Sequence, residues 1–144
     1  MSILFSRRCE YAIQAVMYLS LNEDHAKLSI RELTKQLSIP HPFLAKILQD
    51  LTRKGLLESQ KGVKGGFTLT RAPHEITLLQ IIEAIDGDGF IHNCVLGFEK
   101  CDENNPCVLH DQWMVFRDTT VNMLASRSIV EMARDTKKPQ FILS

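Results

Sequence analysis

The sequence predicts a mainly helical fold with one small β-hairpin: a winged helix-turn-helix followed by a long dimerisation helix. Three observations carry this reading. A capping box, Ser29 with Glu32 three residues on, opens a short helix, and Ser38-Ile39-Pro40 joins it to a second. Two short apolar runs flank the glycine-rich tip Lys61-Gly62-Val63-Lys64-Gly65-Gly66. Finally, residues 106–126 are richer in apolar side chains than one face on a small core requires.

From Ser6 to Asn22 the apolar residues Tyr11, Ala12, Ala15, Val16 and Leu19 fall at helical spacing. Arg7 and Arg8 stand in the first turn, where the helix dipole disfavours cations, so they are either solvated or facing a phosphate. Cys9 is expected to pack. Residues 22–28 form a polar connection to the capping box, and a second helix is expected over Ile30–Leu37. The third helix tolerates Pro40 and Pro42 because its first turn has spare N–H groups. Its buried stripe is Leu44, Ile47, Leu48 and Leu51; its outer arc is Pro42, Phe43, Lys46, Gln49, Asp50 and Arg53.

Gly55 caps that helix at its C-terminus. Strands are expected over 56–60 and 67–70, with Lys61, Lys64 and Gly65 in the hairpin tip between them. Glycine there permits close backbone approach, and the lysines can neutralise phosphates. Alone, such a loop is an ordinary surface turn; directly after a helix-turn-helix it reads as a wing. Thr77 then caps a helix that Asp86-Gly87 stops, and 129–134 add a short last helix. Trp113 either packs or anchors an interface. The tail to residue 144 carries no motif.

Between the two halves lies the stretch Cys94-x6-Cys101-x5-Cys107-x2-His110. Thiolates and imidazole suit zinc or an iron–sulfur cluster, not magnesium or calcium. Asn105-Pro106 reads as N-cap and first residue of the long helix, which would place Cys107 in its first turn and give Cys107 and His110 a common face. A helix N-terminus also favours the thiolate. A disulfide framework is not expected in such a chain, and zinc fingers use tighter cysteine pairs than are present here. The spacing leaves the metal open between a structural Cys3His zinc and a cluster.

Composition narrows the classes. The chain has 144 residues and zero formal net charge, yet residues 1–75 hold 11 Lys and Arg against 7 Asp and Glu, while 76–144 hold 6 against 10. A basic first half beside an acidic second half suits contact with a polyanion. No apolar run approaches the roughly 20 residues a membrane span needs, and no signal-peptide h-region or cleavage site is present, so a cytoplasmic location is expected. No Cys-x-x-Cys pair, nucleophile–base constellation or phosphate-binding glycine loop before a helix points to an enzyme.

With these pieces placed, about residues 3–135 resemble the family of bacterial winged-helix regulators that contains the iron–sulfur regulator IscR and the nitric-oxide sensor NsrR. The resemblance is carried by Glu10-Tyr11-Ala12, IPHPFLAKILQDLTRKGLL at 39–57, GVKGGFTLTRAP at 62–73, ITLLQIIEAIDG at 76–87 and the three spaced cysteines. It implies a homodimeric regulator that binds double-stranded DNA. It assigns a two-iron or four-iron cluster to Cys94, Cys101 and Cys107, with either His110 or Glu10 of the other subunit as fourth ligand; local geometry favours His110. Six residues separate the first two cysteines where five are usual in the family. It divides the chain into a winged helix-turn-helix at 1–87, a cluster loop at 88–107, a dimerisation helix region at 108–135 and a tail at 136–144. His41, Phe43, Lys46 and Gln49 are expected at bases or backbone, Lys61, Lys64 and Gly65 in the wing at phosphate or minor groove, and Ser29, Arg7 and Arg8 at phosphates. Pro40, Pro42 and Ala45 stand where IscR carries small or acidic polar residues, so a different target sequence is expected.

Overall fold

The computed structural model describes residues 4–22 and 27–141. Part of the polar connection expected at 22–28, and the end of the tail, lie outside the described residues. The chain order is α1 (Arg7–Ser20), α2 (Ile30–Leu37), α3 (His41–Arg53), β1 (Leu57–Gln60), β2 (Gly66–Leu69), α4 (Leu78–Asp86), α5 (Gly89–His92), α6 (His110–Ala125) and α7 (Ile129–Asp135). The mainly helical class with one hairpin stands as read from the sequence.

Helix α1 is the axis of the core. Cys9, Ala12, Ala15, Val16 and Leu19 are buried, and α3, α4 and α7 pack around them. The small residues on this stripe let neighbouring helices approach closely. Ser29 and Glu32 form the capping box: Ser29 Oγ accepts from the Glu32 N–H at 3.1 Å and the Glu32 carboxylate accepts from the Ser29 N–H at 2.7 Å. The turn to α3 runs through Ser38 in the left-handed region, at φ 55°. Leu44, Ile47, Leu48 and Leu51 then bury the inner stripe of α3 as its periodicity requires. The helix ends in a Schellman motif, with Leu56 N–H on the Leu51 carbonyl and Gly55 N–H on that of Thr52, both at 3.0 Å.

The wing is a two-stranded antiparallel sheet in the register Leu57↔Leu69, Glu58↔Thr68, Ser59↔Phe67 and Gln60↔Gly66. Leu28 adds an isolated bridge to Phe67, which roots the hairpin in the segment before α2. Glycine is required twice here: a Cβ on Gly65 would meet the Gln60 carbonyl oxygen at 2.2 Å, and one on Gly66 would meet that of Leu28 at 2.7 Å.

One expectation is corrected. The long helix starts at His110, not at Pro106, and Leu109 precedes it with no side-chain cap. Cys107 therefore lies in the approach to the helix rather than in its first turn. The physical reason is closure of the loop: Asp102 accepts from the Asn104 N–H at 2.9 Å, and the following residues turn Cys107 toward Cys94 before the Cys107 carbonyl takes the His110 N–H at 3.1 Å. Proline presets a φ that suits such turns as well as a first helical turn. Within α6 only His110, Thr120 and Leu124 are buried, while Val115, Phe116 and Met123 are exposed. Among the described residues no helix is long and apolar enough to cross a membrane.

Candidate metal centre and nucleic-acid interface

The loop between α5 and α6 is held at both ends before it presents its sulfurs. Trp113 donates its indole N–H to the Asn93 carbonyl at 3.1 Å, and the Cys101 N–H reaches the His92 carbonyl at 3.3 Å. Gly97, at φ 86°, makes the turn that brings its own N–H to the Cys94 carbonyl at 3.0 Å. The result gathers distant positions. Cys94 Sγ lies 3.6 Å from Cys107 Sγ, and Cys101 Sγ lies 3.3 Å from His110 Nδ1. All four side chains line one cavity of about 330 Å³, with Phe98, Lys100 and Pro106 among its other walls.

The electrostatics favour thiolate at Cys94. Its thiol is lowered by the backbone N–H of Leu96 first, then by the Cys107 thiol and the N–H groups of Phe98 and Gly97, while burial opposes them. Oriented amides of this kind do for Cys94 what the helix dipole was expected to do for Cys107. Cys9 is the opposite case. It is fully buried on α1 and its thiol is pushed up to about 12, chiefly by desolvation and then by Asp86. The expectation that it packs is met.

Three thiols and an imidazole around a cavity make a donor set of the softness that iron–sulfur clusters and zinc require. Among the described residues, no group of three or more His, Cys, Asp or Glu side chains sits as a set for a single ion. The donors stand in two pairs instead. Glu10, the alternative fourth ligand, is on α1, where its carboxylate is 3.1 Å from the Arg7 guanidinium; it does not line this cavity. Met114, one helical turn beyond His110, brings its Sδ to 3.9 Å from Cys101 Sγ, and Arg117 Nη2 lies 2.6 Å from that same Sδ. The i+4 spacing from His110 was the available signal for Met114; nothing in the sequence marked Lys100.

Away from this cavity's lining, α3 presents its polar arc. His41, Pro42, Phe43, Lys46 and Gln49 are all exposed, Phe43 at 59 %. Lys61 and Lys64 are exposed in the hairpin tip, with Val63 fully open between them. Ser29 is committed to capping α2, whose N-terminus it leaves at the surface. The two arginines of α1 have partners within the chain. Arg7 reaches Glu10 and stacks over the Tyr11 ring at 5.1 Å. Arg8 pairs with Asp50 on α3, which also takes Arg53. Asp50, read from sequence as one more polar residue on the outer arc, is the joint between α1 and the exposed helix.

Comparison with known proteins gives a consistent result. Residues 5–135 match Rrf2, described as iron-dependent transcriptional regulators. A protein of Aquifex aeolicus assigned as an HTH-type transcriptional regulator is 34 % identical over 145 residues, covering 99 % of both chains. The HTH-type transcriptional regulator IscR of Photorhabdus laumondii is 25 % identical over 125 residues, which is 87 % of this chain and 76 % of that one. In structure, CymR (YrzC), the global cysteine regulator of B. subtilis, superposes with a TM-score of 0.77 at 20 % identity, over 94 % of this chain and 100 % of its own. IscR of T. potens gives 0.74 at 20 % identity, over 100 % and 94 %. At such identities the two superpositions speak for the fold.

Proposed function

The chain belongs to the Rrf2 family of transcriptional regulators, and on that premise we propose that it is a homodimeric DNA-binding regulator whose operator affinity is set by an iron–sulfur cluster held by Cys94, Cys101, Cys107 and His110. The chain regulates transcription and is not an enzyme. The observation that carries the finer reading is the convergence of those three thiols and one imidazole on a single cavity, from positions spread over 17 residues of sequence.

A cluster at this site supplies a group that oxidants, nitric oxide or iron shortage can alter. The remaining work falls to the chain itself. Cys94 follows directly on Asn93, whose carbonyl holds Trp113 of α6; Trp113 packs edge-on against Phe90 of α5 at 6.1 Å, and Phe90 against Phe5 at 6.3 Å. Phe5 precedes the first turn of α1, which Arg8 ties to Asp50 on α3. Ordering or releasing the cysteine loop therefore bears on the placement of α1 and α3 through packed groups. A tenfold change in DNA affinity needs only about 1.4 kcal/mol of preference between two arrangements.

The exposed Val115, Phe116 and Met123 of α6 are the surface assigned to a second copy. Two-fold symmetry then sets paired α3 helices in successive major grooves, roughly 34 Å apart, with each wing along the adjacent backbone. His41, Phe43, Lys46 and Gln49 meet bases or backbone there. Lys61 and Lys64, on the tip that Gly65 shapes, meet phosphate or the minor groove, and the α2 N-terminus at Ser29 meets phosphate.

The test is anaerobic purification followed by iron, sulfide and zinc analysis and an absorbance spectrum, then DNA binding before and after air or nitric oxide. A coloured protein with iron and acid-labile sulfide, whose operator binding changes with the signal and no longer does so in Cys101→Ala, is expected. A colourless protein carrying zinc, or a Cys101→Ala protein that still answers the signal, overturns the reading.

A further inference from the structure

We infer that Phe43 reads thymine: on an operator its phenyl ring lies against the C5-methyl group of a thymine in the major groove and makes that methyl a determinant of specificity. This rests on the DNA-binding reading above and names a base that α3 recognises. Phe43 is 59 % exposed in the first turn of α3, is no part of the core, and among the described residues stacks on no other ring. A single exposed apolar side chain is ordinary on a protein surface, so its position has to carry the argument.

That position is the end of the helix that meets bases. A recognition helix contacts base edges with its N-terminal residues, and helical side chains lean back toward the N-terminus, which carries a first-turn ring forward. His41 and Pro42 beside it are exposed, and the first turn holds no carboxylate, although the helix dipole favours one there. A surface that approaches phosphates has to be kept free of such a charge.

The chemistry of the groove then selects the base. Guanine, cytosine and adenine offer hydrogen-bonding groups in the major groove; thymine adds a methyl, the one apolar group that projects there. A phenyl ring makes no hydrogen bond with a base edge, so its favourable contact is with that methyl. The other groups on the arc have different uses. Lys46 suits guanine O6 and N7, and Gln49 suits adenine N6 and N7. Asp50, the only carboxylate of α3, is 13 % exposed and paired with Arg8 and Arg53, so it is committed within the chain and not to the amino group of a cytosine.

The experiment uses the full-length protein and an operator selected from randomised duplex DNA. In that operator each thymidine is replaced in turn by deoxyuridine, which removes the methyl and keeps the hydrogen-bonding edge. One position in each half-site is expected to lose about fourfold in affinity, the value of one buried methyl-sized group, and about fifteenfold when both half-sites are changed. Phe43→Ala is expected to bind the thymidine and deoxyuridine operators equally, while Phe43→Leu, which keeps an apolar side chain, retains part of the difference. A readout independent of any variant is 5-iododeoxyuridine at the same position. Iodine takes the methyl's place there, and near-ultraviolet light should join it to the peptide that carries Phe43, which mass spectrometry identifies. A deoxyuridine scan without effect, a methyl dependence that persists undiminished in Phe43→Ala, or a crosslink to a residue other than Phe43 overturns this inference and leaves the DNA-binding reading intact. A selection that yields no preferred sequence overturns both.

Discussion

Asp86, the last residue of α4, closes the front of α1: its Oδ2 accepts from the Ser6 backbone N–H at 3.0 Å and its Oδ1 from the Ser6 hydroxyl at 2.5 Å. Ser6 Oγ in turn accepts from the Cys9 N–H at 3.1 Å, so one hydroxyl serves as N-cap and as link. A carboxylate at this position also meets the positive end of the α1 dipole. Removing either partner should therefore cost stability, about 1 kcal/mol for Ser6→Ala and about 1–2 for Asp86→Ala. The two changes share one interaction, so the double variant should lose at least about 0.5 kcal/mol less than the sum. Urea unfolding of the four proteins measures this; strict additivity would mean the link contributes nothing.

Cys9 predicts a loss of stability in alkali. Its thiol is raised from 9.0 to about 12 in the folded chain, so between those values the folded state holds a proton that the unfolded state has released. The contribution is fully present below pH 9 and is lost as pH rises toward 12, at up to about 1.4 kcal/mol per pH unit. Cys9→Ala should flatten that slope while costing on the order of 1 kcal/mol at neutral pH for the smaller side chain. Denaturant midpoints of both proteins between pH 8 and 11 decide the matter; parallel curves would exclude Cys9 as the source.

The wing gives a prediction with two arms. Lys64→Ala should weaken binding to all DNA sequences alike and lower the dependence of log affinity on log salt by about one unit, as the loss of one phosphate contact does. Gly65→Ala reaches the same element by sterics, because its Cβ would sit 2.2 Å from the Gln60 carbonyl oxygen. That variant should impair DNA binding more than Lys64→Ala by reshaping the tip. Titration of operator and unrelated DNA at several salt concentrations separates the two. An unchanged salt slope in Lys64→Ala would remove the wing from the interface.

What the sequence discloses and what it hides divide along a physical line. Local devices were legible: the capping box at Ser29, the N-cap at Thr77, the cap at Gly55 and the buried stripe of α3 depend on neighbours within a few residues. The three thiols and the imidazole that share the cavity could be named as candidate donors because their chemistry is uncommon in a polar loop. Their pairing could not, since Cys94 meets Cys107 only after the chain has turned at Gly97 and again before His110. The start of α6 was misplaced for the same reason: Asn105-Pro106 suits a helix start and a turn equally, and tertiary closure of the loop chose the turn. Asp50 read only as a polar residue of the outer arc and Asp86 only as part of a helix stop, because their partners, Arg8 and Ser6, are 42 and 80 residues away.

The exposed face of α6 yields the most direct test of assembly. Val115 and Met123 are 68 % and 59 % exposed, whereas Phe116 stacks on Trp113 at 5.5 Å and so has a role within the chain. Val115→Glu is therefore the clean variant. On a lone chain a surface exchange of this kind should alter stability by no more than about 0.5 kcal/mol. Across a two-fold interface it places two carboxylates in an apolar contact, each losing hydration without gaining a partner. Sedimentation velocity should then show a dimer for the unsubstituted protein and a monomer for Val115→Glu. DNA affinity should fall at least about tenfold, because the second half-site is no longer bound by a tethered partner. Met123→Glu should behave alike if both residues face the same copy. A Val115→Glu protein that remains dimeric and binds operator normally would move the interface off this face of α6, whatever the state of the cysteine site.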